Sequence, residues 1–158
     1  IIDQLPQVKT IILPVGTGGT LAGLIKSLPA NIKILGIGVE KENYLEKMVQ
    51  AHLGRTYHHW SIVRDYHFGG FGQCPSMLLD FMRTVHSEHG LLLDPIYTGK
   101  SFFALYDLIH SGLLNESDQP ILFLHTGGLQ GIRGYQYLHP GSMDWATDLN
   151  ADHPYTPQ

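Results

Sequence analysis

Apolar and β-branched residues cluster in three short runs, at 10–15, 33–39 and 120–124. Each is bounded by turn-forming residues, the signature of a buried strand. Between and after them the apolar positions recur at helical spacing over 21–28, 44–53, 77–89, 99–111 and 128–137. Strand and helix alternate, which predicts an α/β fold: a parallel sheet with helices on both faces. Within 77–89, Met77, Leu78, Phe81 and Met82 form the face expected to enter the core. Two stretches lack periodicity. Residues 65–75 form a glycine-rich loop carrying Tyr66, His67, Phe68 and Phe71, and 139–158 reads as an extended surface segment or a frayed end.

The run at 10–15 passes at once into Gly16, Thr17, Gly18, Gly19 and Thr20, and then into a helical pattern. Strand, glycine turn and helix N-terminus together point several backbone N–H groups at one spot, which attracts an anion, most often a phosphate. No Lys or Arg lies between Thr10 and Ile25, so neutral dipoles would hold it. The run at 120–124 ends in a second such turn, His125-Thr-Gly-Gly128. Parallel strands bring both turns to one sheet edge, where ligands of open α/β sheets bind.

Two nucleotide-binding patterns compete with this reading. Gly16 and Gly18 begin a G-x-G-x-x-G fingerprint, and Glu40 stands near the place of a ribose-binding acid, but Leu21 occupies the third glycine position. An NAD(P)-dependent dehydrogenase is therefore the alternative function. Gly99-Lys-Ser101 imitates a Walker loop, yet Asp94 stands where its first glycine belongs.

Composition narrows the class of partner. The 158 residues carry 14 acidic and 10 basic side chains, a net charge of −4, with no basic stripe for nucleic acid. No apolar run approaches the roughly 18 residues of a membrane span. A single cysteine, Cys74, excludes a disulfide framework and suits a cytoplasmic location. Ten histidines include the pairs His58–His59 and His86–His89, but neither has a third ligand at metal-binding spacing, so no metal is expected. The chain opens without Met, on residues that read as the end of an earlier element, so a piece of a longer protein is expected.

Four pieces in this order resemble a known family. They are Gly16-Thr-Gly-Gly-Thr20, the Phe-Gly loop at 69–72, Leu93-Asp-Pro-Ile-Tyr-Thr-Gly-Lys-Ser101 and His125-Thr-Gly-Gly128. Their spacing is similar to the C-terminal half of the pyridoxal 5'-phosphate enzymes comprising D-cysteine desulfhydrase and 1-aminocyclopropane-1-carboxylate deaminase. The fold implied is the tryptophan-synthase-β-like one, with residues 1–138 as part of its cofactor domain and 139–158 as a C-terminal tail.

The resemblance implies that Gly16, Thr17, Gly18, Gly19 and Thr20 cradle the cofactor phosphate. Thr126, with Gly127, would approach the pyridine nitrogen, and Tyr97 would be catalytic on the substrate side. Deaminases of the family carry Glu directly after the tyrosine matching Tyr97; Thr98 stands here, as in the desulfhydrase branch. A second family tyrosine is replaced by Phe71. The activity implied is a lyase or deaminase acting on a small amino acid to give a 2-oxo acid and ammonia. A PLP-binding protein that has lost catalysis is a further alternative, given Phe71. None of Lys9, Lys26, Lys33, Lys41, Lys47 and Lys100 sits in the family's Asn-Lys context. The Schiff-base lysine is therefore expected in a missing N-terminal half, and the assembly is expected to be a homodimer.

Overall fold

In the computed structural model, residues 1–41 and 44–146 are described. Strands β1 (Thr10–Val15), β2 (Lys33–Gly38), β3 (Trp60–Val63) and β4 (Ile121–Phe123) form one parallel sheet in the order β3-β2-β1-β4. All six residues of β1 are buried, which is why this strand reads as an unbroken apolar run. β1 pairs with β2 along its whole length, but with β4 only over Thr10 to Ile12. Pro14 lacks an N–H, and it stands just where β4 has already parted from β1.

Helices cover both faces. On one side, α1 (Gly19–Ser27) and α2 (Leu45–Leu53) bring Leu21, Ile25, Leu45 and Val49 against Leu13, Val15 and Ile34. On the other, α4 (Thr98–His110) sets Ala104 and Leu108 against Ile12, Leu35 and Ile37. Side chains buried to this degree contribute roughly 1.5–3 kcal/mol each. A further cluster joins α3 (Ser76–His89) and α5 (Gln130–Leu138) through Leu78, Met82, Ile132 and Tyr135. The α/β parallel sheet predicted from the alternation is therefore present, with the three expected strands at its centre and one edge.

The structure also departs from the sequence reading. Strand β3 was not predicted, because its four residues follow two histidines and offer no run long enough to stand out. Met77 is 56% exposed, whereas Leu78 and Met82 are buried: one step along a helix turns a side chain about 100° away from the core. Beyond α5, Met143 and Ala146 are buried beside Trp145, so this part of the 139–158 segment is not a frayed surface end. Residues 147–158 lie outside the described residues.

Candidate functional site

From β1 the chain crosses to β2 on one side, while β4 flanks it on the other. The crevice beyond the carboxyl ends of β1 and β4 is thus a switch point of the sheet, the place where open α/β sheets bind ligands. A cavity of about 310 Å³ lies there, lined by Pro14, Gly16, Thr17, Thr20, Tyr97, Thr126, Gly127, Gly128 and Gln130. A larger groove of about 820 Å³ runs between α2 and β3. We assign the site to the smaller cavity, because only there do two backbone turns and a helix N-terminus converge.

The first turn leaves β1 and opens α1. Gly18 is its N-cap, at φ 81°, and no side chain caps the helix. The first N–H groups of α1 therefore remain as donors at the mouth of a small recess lined by Gly16, Thr17, Gly18, Gly19 and Thr20. A Cβ at Gly18 would lie 2.6 Å from Val49 Cγ2, so both the backbone conformation and the packing of α2 demand glycine. Among the described residues, no acidic or basic side chain lines either the recess or the cavity. A cradle of neutral N–H dipoles without carboxylates fits a bound phosphate.

The second turn is held by two side chains. His125 Nδ1 accepts a hydrogen bond from the Gly127 N–H at 3.2 Å, which leaves Nε2 to donate to the Leu92 carbonyl at 3.0 Å. Asp94 braces the turn from below, since a Cβ at Gly128 would stand 2.9 Å from its Oδ2. The Asp94 carboxylate is fully buried and accepts the N–H groups of Ile96, Tyr97 and Thr98 at 2.8–2.9 Å. Thr98 Oγ1 donates to the same carboxylate at 2.5 Å and accepts the Asp94 N–H at 2.8 Å. These bonds close the N-terminus of α4 and fix Tyr97 one residue before it.

Tyr97 reaches across to the first turn: a Cβ on Gly16 would come 3.2 Å from its Cε1 and 3.5 Å from its hydroxyl. Burial, with Glu40 and Asp94 nearby, raises the phenol pKa above its ordinary value, so the hydroxyl stays protonated as a donor. Thr98 is sealed in with Asp94, whereas Thr126, exposed on the second turn, lines the cavity together with Thr17, Thr20 and Tyr97.

All eight residues singled out by sequence, Gly16 to Thr20 with Tyr97, Thr126 and Gly127, surround this one cavity and its recess. Glu40 does not join them; it accepts a hydrogen bond from the Tyr44 hydroxyl at 2.7 Å. Five of the six lysines are exposed, and the buried one, Lys100, does not line the cavity. Sequence reasoning missed Asp94 and His125, whose only signal was membership in the two motifs quoted above.

Residues 1–127 match the model of the family described as pyridoxal-phosphate dependent enzyme. Over 141 residues the chain is 36% identical to a Pyrococcus abyssi protein provisionally named 1-aminocyclopropane-1-carboxylate deaminase, covering 82% of this chain and 42% of that one. D-cysteine desulfhydrase of Salmonella newport is 29% identical over 153 residues, with 87% of this chain and 44% of the enzyme covered. A crystal structure of an ACC deaminase homologue superposes with a TM-score of 0.68 at 31% identity, over 82% of this chain and 44% of that one. The chain therefore spans less than half the length of these relatives.

Proposed function

Because the chain belongs to the family of pyridoxal-phosphate-dependent enzymes, we propose that it forms the phosphate- and ring-binding half of an active site for small amino acids. The complete protein is a lyase or deaminase of the D-cysteine desulfhydrase type, releasing a 2-oxo acid and ammonia. The observation that carries this reading is the meeting of two glycine turns and Tyr97 around one cavity that no charged side chain lines among the described residues. The family match supports it over the dehydrogenase alternative, as does the engagement of Glu40 by Tyr44.

In this reading the N–H groups of the first turn and of α1 hold the phosphate, with Thr17 and Thr20 at its rim. Pyridoxal phosphate, when bound, supplies an electron sink that lets an amino acid lose its α-proton. Thr126 offers the ring nitrogen a hydroxyl, which does not hold a formal positive charge there as a carboxylate would. Such an environment would suit β-elimination. Tyr97 holds its phenolic proton beside Gly16 and gives it to, or hydrogen-bonds, the substrate. The lysine that anchors the cofactor comes from the N-terminal half of the complete protein. A homodimer in the cytoplasm completes the proposal; no helix among the described residues is long and apolar enough to cross a membrane.

The test is an absorbance spectrum of the complete protein purified with pyridoxal phosphate, followed by a screen of D-cysteine and other small D- and L-amino acids. A visible band bleached by borohydride, with ammonia release, is expected. A folded protein without that band refutes the reading; a band without turnover leaves a cofactor-binding protein that has lost catalysis.

A further inference from the structure

Lys100 is fully buried, two residues inside α4 and three beyond Tyr97. A buried ammonium is costly unless its hydrogen bonds are made. Here Nζ donates to three backbone carbonyls: Gly70 at 2.6 Å, His67 at 2.9 Å and Val39 at 3.4 Å. One charge thus ties α4 to the residue just past β2 and to the glycine loop between β3 and α3. An apolar side chain of the same length would fill the space without any of these bonds, so volume does not explain the lysine.

The loop it holds is conformationally unfavourable. Phe68 adopts φ 53°, which L side chains rarely do, and Gly69 and Gly70 follow at 102° and 118°. Two of its carbonyls already close local turns, since His67 O accepts the Gly70 N–H and Gly70 O accepts the Gln73 N–H. Lys100 adds a charge-assisted bond to each. The next residue, Phe71, sets its ring edge-on to Tyr97, with centroids 6.0 Å apart and planes at 69°. Phe71 is otherwise 56% exposed. Tyr97 therefore packs close to both Gly16 and the Phe71 ring.

We infer that Lys100 is a positioning residue: by fixing the carbonyls of His67 and Gly70, it holds Phe71 against Tyr97 and so sets where the Tyr97 hydroxyl meets the substrate. The inference rests on the function proposed above only for its consequence in turnover; the loop anchoring is independent of it. Misplacing a catalytic group by about 1 Å costs on the order of a hundredfold. That is the loss of kcat/KM expected on removing the ammonium.

The experiment compares wild type, Lys100→Met, Lys100→Ala and Phe71→Ala in the complete protein. Amide hydrogen exchange is measured without cofactor, and kinetics with it. Lys100→Met is expected to speed exchange across residues 68–74 while β1 and β2 keep wild-type protection, and to lower kcat/KM with the cofactor still bound. Methylammonium added to Lys100→Ala is expected to restore part of both, which a loss of packing alone would not allow. Phe71→Ala is expected to reproduce the kinetic loss with Lys100 in place, and it decides the matter if neither Lys100 variant folds. Wild-type exchange and kinetics in Lys100→Met, or wild-type kinetics in Phe71→Ala, would overturn the inference. If the wild type itself binds no cofactor and turns over nothing, the function proposal fails, and the exchange data still decide whether Lys100 anchors the loop.

Discussion

Replacing Gly18 by alanine adds one methyl group, and the structure says what that methyl meets. At φ 81° an L residue is in the left-handed region, at a cost of about 1–2 kcal/mol. The new Cβ would also stand 2.6 Å from Val49 Cγ2, on a side chain that is fully buried and branched. Relieving such overpacking costs about 1–3 kcal/mol. The sum is a destabilisation of roughly 2–5 kcal/mol. Gly19 is the control: its backbone is not left-handed, and the nearest atom to an added Cβ is Thr17 Oγ1 at 4.0 Å. Gly19→Ala should stay within about 1 kcal/mol of wild type, because alanine is the better helix former. If the first turn holds the cofactor phosphate as proposed, relief of the clash at residue 18 also shifts its N–H groups away from that anion. One lost charge-assisted hydrogen bond is worth about 1.5–3 kcal/mol, or roughly ten- to a hundredfold in cofactor affinity. Denaturant titration and pyridoxal phosphate titration of the complete protein measure both effects. Equal stability and affinity in the two variants would refute the reasoning.

Asp94→Ala leaves one buried and two partly buried N–H groups and a buried hydroxyl without their acceptor; we expect about 3 kcal/mol of lost stability by denaturant titration, and less for Asp94→Asn, which keeps one acceptor oxygen. Burial lifts the Cys74 thiol to about 12, so its thiolate fraction near pH 8 is on the order of a thousandfold below that of a free thiol. Ellman labelling should accordingly be slow in the native protein and rapid once it is unfolded. Burial and the hydrogen bond to Asp107 raise the Tyr66 phenol to about 12. Because the folded pKa exceeds the unfolded value, this contribution to stability is complete below about pH 10 and is lost as pH rises from there toward 12. Asp107→Asn should bring Tyr66 ionisation down toward the ordinary range in an ultraviolet titration.

Much of the architecture was legible because it rests on local patterns. β1 is a threonine and five apolar residues followed by a turn whose glycines have no other reason to cluster, and parallel pairing then brought the second turn beside the first. The five residues from Gly16 to Thr20 stood out for the same reason, whereas Tyr97, Thr126 and Gly127 were named through the family resemblance. Tertiary contacts were not legible. Lys100 looked like part of a broken Walker loop, and only the fold shows its ammonium meeting carbonyls 30 to 61 residues away. Asp94 read as a place where a glycine was missing, whereas its carboxylate closes α4 and braces the second turn. β3 escaped because four edge residues, three half-buried and one exposed, carry too weak a pattern.

Pro14 gives the crevice a permanence that no ligand has to supply. Residues 10, 12 and 14 of β1 face β4, and the last bond between the strands runs from the Leu124 N–H to the Ile12 carbonyl. Any other residue at 14 would present an N–H on which β4 could continue to zip upward and draw the two turns together. Proline has none, so extending β4 past residue 12 of β1 would forgo that hydrogen bond, which disfavours closing the gap it lines. Part of the opening is thus written into covalent structure, in a residue that has no N–H to give.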